Sequence, residues 1–235
     1  MRHLFAVVAP SYDAATRRLS FWSDQRWKRL MVEALPPAEE LPSPAALAAL
    51  DLACGTGDLC FALAERYPSA TITGLDLTEE MLVIARRRAA AGGRPSIRFI
   101  NGDMAHLPFP AESVDLVTGG YALRNAPDLQ QALLEAYRVL RPGGSAAFLD
   151  FSAPGFRPAR AVRLFMLTVW GRIWGRVLHR DPEVYAYIAR SLRHYPSDSA
   201  LIQLMGRMGF ADVVSRPLFG GFVSIIWMRK PHLPQ

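Results

Sequence analysis

A glycine turn and an acid 19 positions beyond it are the residues of this chain best suited to binding a nucleoside. Asp51 lies in an apolar run that predicts a buried strand over 46–53, and Gly55 and Gly57 follow it. Glycine at these positions lets a ligand approach the backbone. A second short strand ends at Asp76, and this is the spacing at which an acid reaches ribose hydroxyls in a doubly wound fold.

The kind of nucleoside follows from what this turn lacks. A dinucleotide fingerprint has a third glycine where this chain has Cys60, and it rests a pyrophosphate on the helix N-terminus. Asp58 puts a carboxylate in the first turn of the predicted helix, which would repel a phosphate and suit a cation. S-adenosylmethionine carries a sulfonium and an ammonium and no phosphate, so the turn favours this cofactor. A plain strand-turn-helix, with glycines for geometry alone, is the alternative.

Strands and helices alternate through the middle of the chain. Strands are predicted at 97–100, 114–118 and 146–151, with helices from the N-cap Thr78 to residue 90 and over 128–140. The alternation predicts a Rossmann-like, doubly wound α/β sheet that is mostly parallel. A helix capped at Ser197 or Ser199 and an antiparallel strand pair at 211–215 and 222–228 complete it.

Ligands of such sheets collect at the carboxyl ends of the strands. Asp103, Gly120 and Tyr121 are therefore expected on the same rim as the glycine turn. Asp103 is followed by Met104, and a carboxylate beside an apolar side chain suits an adenine ring. A helix cap or a solvated loop acid is the alternative for Asp103.

The net charge of +6 is concentrated between residues 157 and 193, where only Asp181 and Glu183 offset a series of arginines. Within 159–180, large apolar residues recur at helical spacing, which predicts a cap helix over a lipophilic acceptor or an interfacial helix on anionic lipid. A core helix with solvated arginines is the alternative. No nucleic-acid recognition module is present in the sequence.

Cysteine use and hydropathy indicate the compartment. Cys54 and Cys60 form no CxxC pair, so we expect a reduced, cytoplasmic protein. The apolar N-terminal residues are too few for a signal core, and no run approaches the roughly 20 apolar residues of a membrane span. A peripheral position at the inner face of the membrane fits the basic segment. We expect no metal in the site, and the sequence leaves a homodimer open.

These residues resemble the class I S-adenosylmethionine methyltransferases, and within them the ubiquinone/menaquinone biosynthesis C-methyltransferases. The segments that carry the resemblance are Tyr12-Asp13 with Leu19-Ser20 and Trp27, Gly120 to Asn125, Arg138 to Gly144 with Ser152, and Tyr185, Tyr187, Ser191 and Pro196. The chain departs from the family pattern at Ala15, Thr16, Asp24, Gly120 and Asp150.

The resemblance implies a class I methyltransferase fold and S-adenosylmethionine as the cofactor. Gly55 to Gly57 would face its methionine part, Asp76 its ribose, Asp103 and Met104 its adenine, and Gly120 its sulfonium. The full set of implied cofactor residues is Asp51, Ala53, Gly55, Thr56, Gly57, Asp76, Leu77, Asp103, Met104, Gly120 and Tyr121.

The implied reaction is attack by a ring carbon of a polyprenylated quinol on the cofactor methyl. Such a carbon is a poor nucleophile unless a ring hydroxyl becomes a phenolate, and a fixed guanidinium lowers a phenol pKa. Arg124 is therefore the first catalytic candidate, with a structural arginine paired to Asp128 as the alternative. The second-rank candidates are Tyr12, Asp24, Tyr185 and His194.

The predicted organisation has four parts: a helical lid at 1–44, a cofactor-binding core at 45–152, a basic and aromatic helical cap at 153–197, and a C-terminal helix and strands at 198–235. The acceptor is expected to be a demethylmenaquinol or a ubiquinone precursor. A methyltransferase for a phospholipid headgroup or an aromatic natural product is an alternative, as is a homologue that binds the cofactor without transferring its methyl.

Overall fold

One sheet forms the centre of the molecule. Its strands are β1 (Ala48–Leu52), β2 (Thr71–Asp76), β3 (Arg98–Asn101), β4 (Val114–Gly120), β5 (Leu140–Phe151), β6 (Ala211–Leu218) and β7 (Val223–Arg229). They are ordered β3-β2-β1-β4-β5-β7-β6; β1 to β5 pair in parallel, and β7 runs antiparallel to both β5 and β6. The computed structural model describes residue 9 and residues 12–94, 96–179, 181–182 and 188–232, without the side chains at positions 12, 15, 178 and 179.

Helices cover the sheet. They are α1 (Tyr12–Leu19), α2 (Asp24–Glu33), α3 (Asp58–Arg66), α4 (Glu79–Ala91), α5 (Leu129–Val139), α6 (Arg157–His179) and α7 (Asp198–Arg207). Asp128 caps α5 by accepting the backbone N–H of Gln131, and Ser197 caps α7 by accepting that of Ala200. Thr78 occupies the predicted N-cap position of α4, although its side chain makes no capping bond.

The switch point of the sheet lies between β1 and β4, because the chain connections run toward opposite edges from these two strands. The carboxyl ends of four neighbouring strands meet there. Gly55 follows β1, Asp76 ends β2, Asp103 follows β3 and Tyr121 follows β4. The prediction of a doubly wound, mostly parallel sheet with an antiparallel C-terminal strand pair is confirmed.

Apolar residues on the central strands alternate between the two faces of the sheet. Leu50 and Val117 belong to one buried cluster, and Ala49 and Leu116 belong to the other. Because successive residues of a strand point to opposite faces, each strand contributes to both layers. This two-sided burial explains why the strands form near-continuous apolar runs in the sequence.

The fifth strand begins at Leu140, so its predicted start at residue 146 was wrong. Val114 pairs with Leu140 whereas Leu116 pairs with Ser145, so an irregularity of β5 absorbs the intervening proline-glycine segment. The backbone N–H of Gly143 donates to the carbonyl of Lys230 over 2.8 Å. A residue from the far end of the chain therefore holds this segment against the sheet.

Helices α1 and α6 lie beside the carboxyl rim of the sheet. Phe21, which follows α1, stacks on Trp170 of α6 with ring centroids 4.9 Å apart. Phe21 also contacts Phe219, the residue after β6. Among the described helices, none is long and apolar enough to cross a membrane.

Candidate active site

Asp76 holds the backbone of the rim in place and is also a candidate cofactor-binding residue. Its Oδ2 accepts the backbone N–H of Gly55 and its Oδ1 accepts that of Thr78, each over 2.8 Å. Burial raises the pKa of this carboxyl, and the backbone hydrogen bonds oppose that shift. Each oxygen has a second lone pair. Asp76 can therefore hold the glycine turn and still accept a ligand hydroxyl.

A cavity of about 100 Å³, here called the rim cavity, adjoins Asp76. The predicted residues that line it are Ala53, Gly55, Asp76, Leu77, Asp103, Met104, Gly120 and Tyr121. The sequence analysis missed its other lining residues, which are Leu75, Thr78, Met81, Gly102, Asn125 and Pro127. Several of these are sequence neighbours of a predicted residue. Their position at the junctions between strands and helices is the sequence signal that could have identified them.

Asp103 caps a turn and also borders the rim cavity. Its Oδ1 accepts the backbone N–H of Ala105 over 2.9 Å, as a turn-capping acid does. The same residue borders the rim cavity beside Met104. The cap orients the carboxylate without removing it from the cavity.

The glycine turn has two glycines with different tasks. Gly55 has φ +54°, and no atom lies within 4 Å of the position that a Cβ would occupy, so a ligand has room to approach the backbone. Gly57 has φ +91° and packs against Phe61 and Phe99, and it does not line the rim cavity. The geometry gives Gly57 a structural position at the start of α3.

Asp58 does not offer a bare negative charge to a ligand. Lys28 Nζ lies 2.7 Å from its Oδ2, and Arg88 Nη2 lies 2.7 Å from its Oδ1. Burial alone would raise the pKa of Asp58, but the two cations more than offset it and hold the pKa below its usual value. The expectation that Asp58 itself selects a cationic ligand is corrected, because two side chains already neutralise it.

A smaller space of about 30 Å³, the glycine-turn cavity, lies next to the rim cavity. Its lining residues are Lys28, Asp51, Ala53, Cys54, Gly55, Thr56, Asp58, Leu59, Gly120 and Tyr121. Asp51 is fully buried; its Oδ1 accepts from the Thr118 hydroxyl over 2.8 Å, and Cys60 Sγ lies 3.6 Å from Oδ2. Burial raises the pKa of Asp51 to about 7.

A third cavity, of about 490 Å³, is almost entirely apolar, and we call it the apolar cavity. It is lined by Thr16, Leu19, Ser20, Phe21, Trp27, Tyr121, Arg124, Phe151, Phe165, Met166, Leu167, Val169, Trp170, Ile188, Phe219, Phe222 and Val223. Arg124 is the one charged side chain among these described residues. A single guanidinium in an apolar enclosure suits a large, mostly hydrocarbon ligand with one polar end.

Arg124 is fixed by contacts from three directions. Its Nε lies 2.9 Å from Asp150 Oδ1, and its Nη1 donates to Ser191 Oγ over 3.1 Å. The guanidinium also lies 5.1 Å from the centre of the Phe151 ring. The alternative pairing with Asp128 is wrong, because Asp128 caps α5 instead.

The second-rank catalytic candidates do not gather around Arg124. Asp24 is buried, bonds Ser20 and Lys28, and borders neither the apolar nor the rim cavity. His194 is exposed and also borders neither cavity. Tyr12 begins α1, but its side chain lies outside the described part of the structure, as do Tyr185 and Tyr187.

Tyr121 lies where all three cavities meet. It follows β4 with φ +57°, a conformation that non-glycine residues seldom adopt, and its backbone N–H donates to the Leu149 carbonyl over 2.6 Å. The bend turns the chain across the rim. Among the described residues, no group of three or more His, Cys, Asp or Glu side chains is arranged to hold a metal ion.

Comparison with known proteins agrees with this geometry. The model of the ubiE/COQ5 methyltransferase family matches residues 1–230. A demethylmenaquinone methyltransferase of Thermus thermophilus is 38% identical over 211 residues, which cover 88% of this chain and 91% of that protein. A 2-phytyl-1,4-naphtoquinone methyltransferase of Thermosynechococcus vestitus is 38% identical over 228 residues and 97% of each chain.

A solved structure shows the same fold at lower identity. A SAM-dependent methyltransferase from Thermotoga maritima superposes with a TM-score of 0.65 at 20% identity, over 98% of this chain and all of that one. The strand order determines where the carboxyl rim of the sheet lies. The match to the family model extends from the N-terminal helices to β7. The chain belongs to the ubiE/COQ5 methyltransferase family.

Proposed function

We propose that this protein is an S-adenosylmethionine-dependent C-methyltransferase that acts on a ring carbon of a prenylated quinol of the demethylmenaquinol type. The observation that carries the proposal is the meeting of three cavities at Tyr121. The sulfonium of this cofactor has three substituents: an adenosyl group, an amino-acid chain and the methyl group. Each cavity has the chemistry that suits one of them.

The rim cavity suits the adenosyl group. Asp76 offers carboxylate lone pairs to ribose hydroxyls, and Asp103 and Met104 offer an acceptor and an apolar side chain to adenine. The space beside Gly55 fits a ligand that lies against the turn. When bound there, the cofactor supplies an electrophilic methyl group.

The apolar cavity suits the acceptor. Its aromatic and aliphatic walls match a bicyclic ring with a prenyl chain, and Arg124 is placed to meet a ring oxygen. The two relatives described above are named for methylation of demethylmenaquinone and of a phytyl naphthoquinone. Their names favour a naphthoquinol over other lipophilic acceptors.

Arg124 would act on the acceptor oxygen. A fixed cation lowers the pKa of a ring hydroxyl and stabilises the phenolate that makes the neighbouring carbon nucleophilic. That carbon forms a bond to the methyl while the sulfur-methyl bond breaks, and the ring then loses its proton to restore aromaticity. A guanidinium does not accept protons, so we assign the proton transfers to water.

Arg124 also disfavours a phospholipid amine headgroup as the acceptor. An amine or ammonium would have to leave water and enter an apolar enclosure whose charged lining side chain is another cation. The phenolate of a quinol carries the opposite charge. We therefore prefer the quinol.

The exposed face of α6 supports contact with a membrane. Val162, Phe165, Ile173 and Val177 follow one another at near-helical spacing and are each 50% exposed or more. Phe165 also lines the apolar cavity, so the exposed apolar stripe of α6 continues into it. We propose that α1, α2 and α6 form the lid and cap through which a prenyl chain passes from the inner face of the bilayer.

Two pairs of arginines on α6 have different environments. Arg160 donates to the carbonyls of residues 192, 193 and 195 over 2.7 Å, and Arg163 donates to the carbonyls of Ser152 and Gly221. These two side chains hold α6 to the rest of the fold. Arg172 and Arg176 are exposed, and an exposed guanidinium suits contact with anionic lipid.

The proposal is tested by incubating the protein with methyl-labelled S-adenosylmethionine and, separately, a reduced demethylnaphthoquinol, a reduced ubiquinone precursor and a phosphatidylethanolamine. We expect labelled carbon-methylated naphthoquinol by mass spectrometry. Label in the phospholipid alone would replace the quinol assignment. Binding of the cofactor without labelling of any acceptor would favour a homologue that does not transfer the methyl.

A further inference from the structure

The turn between α1 and α2 holds two aromatic residues in an unfavourable backbone conformation. Phe21 has φ +51° and Trp22 has φ +61°. Residues with a Cβ seldom adopt this left-handed region, and they usually do so singly. The backbone N–H of Trp22 donates to the Arg17 carbonyl over 2.6 Å, which ties the turn to the end of α1. Backbone strain of this kind is concentrated at functional sites.

The two aromatic rings have different surroundings. Phe21 lines the apolar cavity and stacks on Trp170 with ring centroids 4.9 Å apart. Trp22 does not line that cavity, and it is 68% exposed. A large aromatic ring contributes most to binding when it leaves water, so Trp22 offers apolar area to a partner surface. The turn therefore presents one ring to the cavity and the other to the outside.

The exposed lining residues show where the apolar cavity opens. Phe21 and Phe219 are each 49% exposed, and Phe165 is 69% exposed. We call the opening between these three rings the mouth of the apolar cavity. Phe21 and Phe219 contact each other across it, with ring centroids 5.6 Å apart. Arg124 is buried and lies away from this opening.

A long prenyl chain has to leave the cavity through the mouth. A cavity of about 490 Å³ has the size of a pocket for a drug-sized molecule, so it holds a ring and the start of its chain. When a ring oxygen lies at Arg124, the rest of the chain extends outward past Phe21 and Phe219. This step rests on the proposed function, which puts the acceptor in the apolar cavity. Because the emerging chain is a hydrocarbon, lipid is favoured over water outside the mouth.

The surface around the turn has the charge that suits anionic lipid. Arg17 at the end of α1 and Arg26 and Arg29 on α2 are all exposed. Arg26 and Arg29 are three residues apart, so they share one face of α2. An exposed tryptophan with arginines beside it is typical of a protein segment that lies at the headgroup level of a bilayer.

We propose that the turn between α1 and α2 docks on an anionic lipid surface through Trp22, and that docking opens the mouth of the apolar cavity at Phe21. A surface shifts a conformational equilibrium only if it binds one conformer better. In the open conformer the Phe21 ring leaves Trp170 and Phe219 and adds its area to the inserted surface. The mouth therefore opens where the bilayer supplies the acceptor, and in solution it stays closed.

Turnover of a short, soluble quinol tests this gate, because such an acceptor reaches the protein without a membrane. We expect phosphatidylglycerol vesicles to raise its turnover about tenfold or more, since an open conformer that is minor in solution becomes the main one. Trp22→Ser should remove this stimulation and keep the rate without vesicles within about twofold of wild type. Phe21→Ala should make turnover nearly independent of vesicles, because the ring that closes the mouth is gone.

A second measurement follows insertion of Trp22 directly. Lipids that carry bromine on their acyl chains quench the fluorescence of tryptophan rings that enter the bilayer. Vesicles of brominated phosphatidylglycerol should quench the wild-type protein, and they should quench Trp22→Ser much less. Thermal unfolding checks that each variant is folded.

The matched control is Leu134→Ser. Leu134 is 46% exposed on α5 and does not line the apolar cavity, so this variant should keep both quenching and stimulation. Turnover that vesicles do not change in the wild type, or stimulation that survives Trp22→Ser, would overturn the inference. So would equal quenching of the wild type and Trp22→Ser. If the soluble quinol were not methylated under any condition, the proposed function would fail, and quenching would still decide whether Trp22 inserts.

Discussion

Arg124 Nε lies 2.9 Å from Asp150 Oδ1 at the wall of the apolar cavity, and the backbone N–H of Arg124 donates to the other oxygen of the same carboxylate. The two side chains are 4% and 7% exposed. A buried cation without a counterion is unfavourable. Asp150 on β5 supplies the counterion for Arg124. The arrangement holds a guanidinium in one place in an otherwise apolar enclosure.

Replacing Arg124 by leucine should remove catalysis and spare the cofactor. Arg124 borders the apolar cavity and not the rim cavity. We expect methyl transfer to fall by about 10²- to 10³-fold, because stabilisation of the developing phenolate is lost. Single-turnover rates with a short, soluble quinol measure this, and calorimetry with S-adenosylhomocysteine checks that the cofactor site is intact.

The single variant also leaves Asp150 as a buried charge without its ion-pair partner, so a control is needed. Arg124→Leu combined with Asp150→Asn removes that charge and should recover thermal stability while remaining inactive. Activity close to wild type in either variant would contradict a chemical role for Arg124.

Asp76→Ala should weaken cofactor binding by about 1–3 kcal/mol, through loss of charge-assisted bonds to the ribose. Because Asp76 also accepts the N–H groups of Gly55 and Thr78, part of the loss will come from the turn. Asp76→Asn keeps one acceptor oxygen and should lie between alanine and wild type. Calorimetry on the folded variants decides this, and an unchanged affinity for alanine would remove Asp76 from the site.

Cofactor affinity should depend on the ionisation of Asp51. Burial raises its pKa to about 7 in the unliganded protein, so much of it is protonated at pH 6. A ligand ammonium favours the carboxylate form, and S-adenosylhomocysteine should bind about five- to tenfold more weakly at pH 6 than at pH 7.5. The groups that act on Asp51 are Thr118, Cys60, Lys28 and Asp76. Asp51→Asn should abolish the dependence; a flat wild-type profile would argue against contact with the ammonium.

The exposed stripe of α6 should bind lipid. Replacing Val162, Ile173 and Val177 by serine should reduce co-sedimentation with phosphatidylglycerol vesicles and turnover of a long-chain quinol, since apolar area for insertion is lost. Turnover of a short, soluble quinol should be unaffected. Val214→Ser is the matched control, because Val214 is 58% exposed on β6. Equal vesicle binding by the control and the triple variant would exclude the stripe from lipid contact.

The two pairs of arginines on α6 should separate in the same assay. Arg172→Gln with Arg176→Gln should reduce the preference for anionic over neutral vesicles by roughly 1 kcal/mol for each charge. Arg163→Gln should instead lower the thermal unfolding midpoint, because it loses bonds to the carbonyls of Ser152 and Gly221. A similar loss of lipid binding in both variants, at unchanged stability, would contradict this division.

Sequence alone determined the fold class and most of the rim cavity. The glycine turn and the acid at the end of β2 each follow directly from a strand, and parallel strands bring their carboxyl ends together whatever the details of packing. For that reason Gly55, Asp76, Asp103 and Tyr121 were predicted on one rim, and all four line the same cavity.

Only the tertiary structure decided which charges meet. Asp58 was predicted as a site for a cation, yet Lys28 and Arg88, each 30 residues away, already neutralise it. Arg124 pairs with Asp150 on β5 and not with its near neighbour Asp128. Local spacing fixes which residues share a strand end or a helix face, whereas ion pairs form between side chains that packing brings together from distant segments. The placement of α2 against α3 therefore decided the environment of the glycine turn.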